Sequence, residues 1–108
     1  MSAPEDLLAF QLRAVGAEFS REVVFAAPRK WRADFILQPP DGAMVATRIL
    51  IEVDGGSWVA GRHTSGAGFA ADCEKLNEAA ILGYRVFRFT PAMVDDGSAL
   101  ALVERALA

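Results

Sequence analysis

The chain has 108 residues, 53% of them hydrophobic, and a formal net charge of −3. This length supports a single domain, spanning 1–108, with a core of its own, and one cysteine (Cys73) with one histidine (His63) excludes an internal disulfide or an ordinary structural zinc site. The acidic balance argues against a passive nucleic-acid coat, but not against a metal enzyme whose bound cations offset clustered carboxylates.

The N-terminal stretch MSAPEDLLAF lacks the basic flank of a signal peptide, and no apolar run is long enough to span a bilayer. A soluble, cytoplasmic protein without membrane partners is expected. Leu7, Leu8, Leu12 and Val15 recur at helical spacing, which predicts a first helix from Pro4 to Val15 with Gly16 as its stop. Ser20 to Phe25 reads as extended. Trp31 to Leu37 alternates, with Trp31, Ala33, Phe35 and Leu37 on one side and Arg32, Asp34 and Ile36 on the other. Turn chemistry at Pro39-Pro40-Asp41-Gly42 predicts that the next strand, Thr47 to Asp54, folds back as a hairpin partner. Ile49, Ile51 and Val53 share one face of it; Leu50, Glu52 and Asp54 share the other. A glycine-dense loop (Gly55, Gly56, Gly61, Gly66, Gly68) leads into a second helix, Phe69 to Leu82, with Phe69, Cys73, Leu76 and Ala80 at core spacing and Gly83 as C-terminal cap. Tyr84 to Phe89 reads as a strand. Thr90-Pro91 opens a last helical region, broken at Asp95-Asp96-Gly97-Ser98 before a final helix from Ala99 to Leu107. The order helix, three strands, helix, strand, helix predicts an α/β (α+β) fold with a mixed sheet.

Glu52 and Asp54 leave the same strand face roughly 7 Å apart at Cα. Two unpaired carboxylates this close repel each other unless a cation or a proton lies between them. Magnesium fits, because it takes oxygen ligands and keeps several waters, one of which can attack a phosphodiester. Asp34, on the hairpin partner, could supply a third carboxylate. The plainer alternative is a solvated sheet face. Against it, the pair runs straight into a glycine-rich loop, where binding residues concentrate.

Taken together, Arg32-Ala33-Asp34-Phe35, Ile51-Glu52-Val53-Asp54-Gly55-Gly56, His63, Asp72, Lys75 and Leu82-Gly83-Tyr84-Arg85-Val86-Phe87-Arg88-Phe89 resemble the PD-(D/E)XK nucleases, in particular the compact very-short-patch-repair-like and resolvase-like endonucleases. The resemblance covers Glu5 to Pro91. It implies a restriction-endonuclease-like core, Mg²⁺ or Mn²⁺ as cofactor with no small-molecule cofactor, DNA as partner, and metal ligation by Asp34 and Glu52. Where the family usually carries a lysine this chain has Asp54, a departure shared by some restriction enzymes that place a third acid there. Lys75 on the following helix is the candidate replacement, its alternative being a surface pair with Asp72. His63 could donate a proton to the leaving oxygen or simply be solvated. Glu5 matches the glutamate that the family's first helix often presents to the metal, although a helix-start glutamate also answers the helix dipole.

For DNA contact, Arg29, Lys30 and Arg32 cluster before Asp34, and Arg62 lies in the glycine-rich loop with Trp58, which could stack on an unpaired base. A two-fold homodimer is expected if both strands are cut. The competing reading is a catalytically inert nuclease-fold module that binds nucleic acid or protein. A serine hydrolase built on Ser57 or Ser65 lacks the G-x-S-x-G turn and any rigid support.

Overall fold

Ser2 starts the first helix: its hydroxyl accepts from the Glu5 N–H and donates to the Glu5 carboxylate, a reciprocal cap on α1 (Ala3–Ala14). The structure, a computed structural model, describes residues 2–54 and 66–108. Gly16 turns the chain through φ +75° into β1 (Glu18–Val24), which pairs antiparallel with β2 (Arg32–Gln38). β2 in turn pairs antiparallel with β3 (Ile49–Val53). α2 (Gly66–Ile81) then carries the chain over to β4 (Arg85–Phe89), which lies parallel to β3. The result is a four-stranded mixed sheet in the order β1-β2-β3-β4. Gly83, at φ +93°, makes the tight exit from α2 that a side chain would oppose. Thr90 accepts from the Met93 N–H to cap α3 (Pro91–Asp95), and α4 (Ser98–Leu107) follows the break at Gly97.

Two apolar layers hold the sheet. Leu8 and Leu12 of α1, Val94 of α3 and Val103 of α4 close over Phe35, Leu37, Ile49, Ile51, Val53 and Phe89. Each such side chain contributes about 1.5–3 kcal/mol on burial, so this face provides most of the hydrophobic stabilisation. The opposite face is thinner. Ala33, Ile36, Leu50 and Ala79 form its buried centre, with Val23, Phe25, Tyr84 and Val86 at the margin.

Most sequence expectations hold at the level of elements, and the departures have physical causes. α1 stops at Ala14, leaving Val15 exposed. In α2 the buried residue is Ala79 and not Ala80; Cys73 and Leu76 are half-buried. Phe69 was expected in the core but is 61% exposed. Asp72 and Lys75 already stand beside Glu52 and Asp54 at the carboxyl end of β3, so a residue one turn earlier projects past the sheet. Ala33 also departs from strict alternation, joining the thinner layer with Ile36 while Phe35 and Leu37 face the thicker one. The irregularity coincides with Glu22, which lies between the paired residues Arg21 and Val23 of β1, opposite Asp34, and has φ +54°.

Candidate functional site

The β2–β3 ladder runs through Leu37↔Ile49, Ile36↔Leu50 and Phe35↔Ile51. At the next position side chains take over from backbone. The Asp34 N–H donates to Glu52 Oε2 at 3.0 Å, and the Val53 N–H donates to Asp34 Oδ2 at 2.7 Å. The two carboxylates therefore bridge the strands reciprocally, each satisfying a backbone donor that would otherwise lose a partner. Glu52 is held from the other side as well, because Lys75 Nζ of α2 donates to its Oε1, and both side chains are only 16% exposed. Lys75 thus pairs across the fold with Glu52, which the helical spacing to Asp72 did not predict.

Asp54 leaves the end of β3 and receives Arg88 Nη2 of β4 at 2.9 Å. That contact holds the Arg88 guanidinium in its charged form, above its ordinary range. Glu52, Asp54, Asp72, Lys75 and Arg88 line a polar pocket of about 180 Å³ at the carboxyl ends of the parallel strands, the end of an α/β sheet where ligands ordinarily bind. In the sequence Arg88 reads only as a basic residue of the last strand. The parallel register Glu52↔Arg88 brings it to the site, and that pairing is invisible before the crossover is known.

Asp34 is the electrostatically unusual group. Burial pushes its carboxyl up to about 7, and the nearby Glu52 and Glu5 push in the same direction, while the Val53 N–H and Lys75 oppose them. A folded pKa above the unfolded value means that the folded chain keeps a proton the unfolded chain has released. Without metal, stability is therefore expected to fall as pH rises from about 4 to about 7 and to level off above that. Asp34 is partly solvated, so after screening the loss should be about 2 kcal/mol. Urea denaturation at pH 4 and pH 8 measures it, and Asp34→Asn should flatten the difference.

Glu5, Glu22 and Asp34 each present a carboxylate oxygen within 4.8 Å of the others. Glu5 was expected here; Glu22 was not. Its position on β1 gave no sign, because an exposed glutamate in an alternating edge strand reads as solvent-facing. The left-handed backbone at Glu22, which costs about 1–3 kcal/mol outside glycine, accompanies this turn of its side chain toward Asp34.

The expected site residues thus divide. Asp34, Glu52 and Lys75 come together, with Glu5 and the unforeseen Glu22 beside Asp34; Asp54 stands in the same pocket as Glu52, on Arg88. Arg29, Lys30 and Arg32 are exposed around the entry to β2, and Arg29 also meets Glu74 of α2 at 2.6 Å. Trp31 is half-buried and stacks on Phe25. His63, Arg62 and Trp58 lie outside the described residues. No helix among the described residues is long and apolar enough to cross a membrane. Comparison with protein-family models, curated proteins and solved structures finds no match.

Proposed function

We propose that this chain is a divalent-metal-dependent DNA endonuclease with a PD-(D/E)XK restriction-endonuclease-like core. The observation that carries the reading is the reciprocal bridge between Asp34 and Glu52, with Lys75 of the crossover helix seated on Glu52. A carboxyl from each strand and a lysine thereby converge at the end of the sheet where a phosphodiester could lie.

The donor set suits a hard cation. Asp34, Glu5 and Glu22 offer oxygen only, and magnesium or manganese prefers oxygen donors while retaining waters. Such an ion, when bound, supplies a water of lowered pKa and stabilises charge on the phosphate oxygens. Ion binding would also favour the ionised form of Asp34, whose charge burial and its neighbours otherwise disfavour. Glu52 keeps Asp34 in place through its backbone N–H and holds the Lys75 ammonium at the pocket wall. From there Lys75 can orient a water or a phosphate oxygen. Arg88, paired with Asp54, adds a second cation to the pocket lining.

The test is a panel of plain, nicked, flapped, mismatched and four-way DNA, incubated with magnesium, manganese or chelator. Metal-dependent cleavage of at least one substrate is expected. Lys75→Met should lower turnover by about a hundredfold while leaving DNA binding within a few-fold, as fits a group acting on the reacting atoms. Unchanged turnover would return Lys75 to a purely structural pair with Glu52.

A second reading, an inert nuclease-fold binding module, is favoured by one observation: Glu52 and Asp54 each already hold a cation of the chain itself. Calorimetric titration with manganese separates the two readings. Absence of any heat attributable to Asp34, judged against Asp34→Asn, supports the module.

A further inference from the structure

Five side chains form a continuous ladder beside the thinner face of the sheet. The Arg29 guanidinium lies 3.8 Å from the centre of the Trp31 ring. Trp31 stacks on Phe25 at 6.4 Å with an interplanar angle of 21°, and Phe25 meets Tyr84 edge-on at 5.9 Å. Arg48 closes the far end, 4.8 Å above the Tyr84 ring. The three aromatics are half-buried, Phe25 and Tyr84 of them packed against the cluster of Ala33, Ile36, Leu50 and Ala79, whereas both arginines are exposed.

A guanidinium laid flat on an aromatic face loses little of its donor capacity, because its N–H groups point outward from the ring edge. It does lose rotational freedom, so less entropy remains to be lost when a phosphate is bound. Lys30 and Arg32 are exposed at the Trp31 end, which makes this a cluster of four cations on a chain of net charge −3. The acid that meets it comes from α2: Glu74, on Arg29. The acids of α1, α3 and α4 belong to the opposite layer. The ladder begins beside the entry to β2, where Trp31 stands three residues before Asp34, and ends at the start of β3 and β4, so it leads away from the candidate site across the sheet.

We infer that this ladder is a track for a nucleic-acid backbone, with Arg29 and Arg48 as phosphate contacts whose guanidiniums are held ready by Trp31 and Tyr84. The inference rests on the nuclease reading for its ligand, and it adds the path the strand takes on leaving the site. Arg48 has no signal in the sequence, where it is a lone basic residue at the start of the expected strand from Thr47 to Asp54.

The test is equilibrium binding of the whole chain to a fluorescein-labelled duplex in calcium buffer, repeated across a range of salt concentrations. Each phosphate contact contributes about 0.9 to the slope of log K against log salt. Arg29→Ala and Arg48→Ala are each expected to lower that slope by about one and to weaken binding several-fold at physiological salt. Tyr84→Leu, which keeps Arg48 but removes its ring, should weaken binding with the slope unchanged. Arg105→Ala, on the opposite layer, should leave the slope as it is. Equal losses from all three arginine variants would overturn the track, since net charge alone would then explain them. Unchanged slopes for Arg29→Ala and Arg48→Ala would overturn it too, while leaving the nuclease reading intact. Binding to poly-glutamate with the same affinity and slope would overturn the assignment to nucleic acid. If the parent chain binds no DNA at all, the nuclease reading and the track fall together.

Discussion

Replacing Asp34 by Asn is expected to reduce DNA cleavage by about a thousandfold, the several kcal/mol that metal-assisted stabilisation of the transition state supplies. The substitution is conservative for the fold. An amide oxygen can still accept the Val53 N–H, and the Asp34 backbone N–H still donates to Glu52. What disappears is the charge that draws a cation toward Glu5 and Glu22. The same change should make the metal-free protein more stable above neutrality, because the poorly solvated carboxylate is gone. Loss of activity combined with a gain in stability marks a functional residue, since a structural one would lose both. Cleavage within tenfold of the parent chain, measured with saturating magnesium, would place the metal somewhere else.

Glu52→Ala should have the largest effect on folding among the site variants, about 3 kcal/mol of destabilisation in urea. One side chain serves two partners there. Its removal strips the acceptor from the Asp34 N–H and leaves the Lys75 ammonium, largely shielded from water, without its counter-charge. Glu52→Gln should recover part of that loss, because its amide oxygen can still accept from Asp34 but its NH₂ group cannot accept from Lys75. A change below 0.5 kcal/mol for Glu52→Ala, the range of ordinary surface substitutions, would show that water replaces both contacts at little cost.

The fold was readable in the sequence to the extent that local chemistry decides it. Thr90-Pro91, Gly83 and Gly97 punctuate the helices where expected, and the period-two pattern of Ile49, Ile51 and Val53 found the central strand. Asp34 and Glu52 were legible as candidates from their positions on adjacent strands, whereas Lys75 and Glu5 were raised only by the resemblance to the PD-(D/E)XK nucleases. Pairing across the fold was not legible. Arg88 reaches Asp54 only through the parallel register that the crossover sets, and Lys75 reaches Glu52 only because α2 packs over that end of the sheet. Glu22 stayed hidden for another reason. Its turn toward Asp34 requires a left-handed backbone that glutamate seldom adopts, so no rule of alternation could have placed it. Phe69 misled through spacing alone, since helical periodicity cannot tell where a helix overhangs the sheet beneath it.

The bridge between β2 and β3 has a mechanical corollary. Because Asp34 Oδ2 fastens the Val53 amide, an ion that drew this oxygen toward Glu5 and Glu22 would loosen the open end of the β2–β3 hairpin at the same moment. Occupancy and local opening become one event, and a single backbone proton records it. Deuterium uptake at Val53 should quicken when manganese is added, while its neighbour Ile51, laddered to Phe35, keeps its pace.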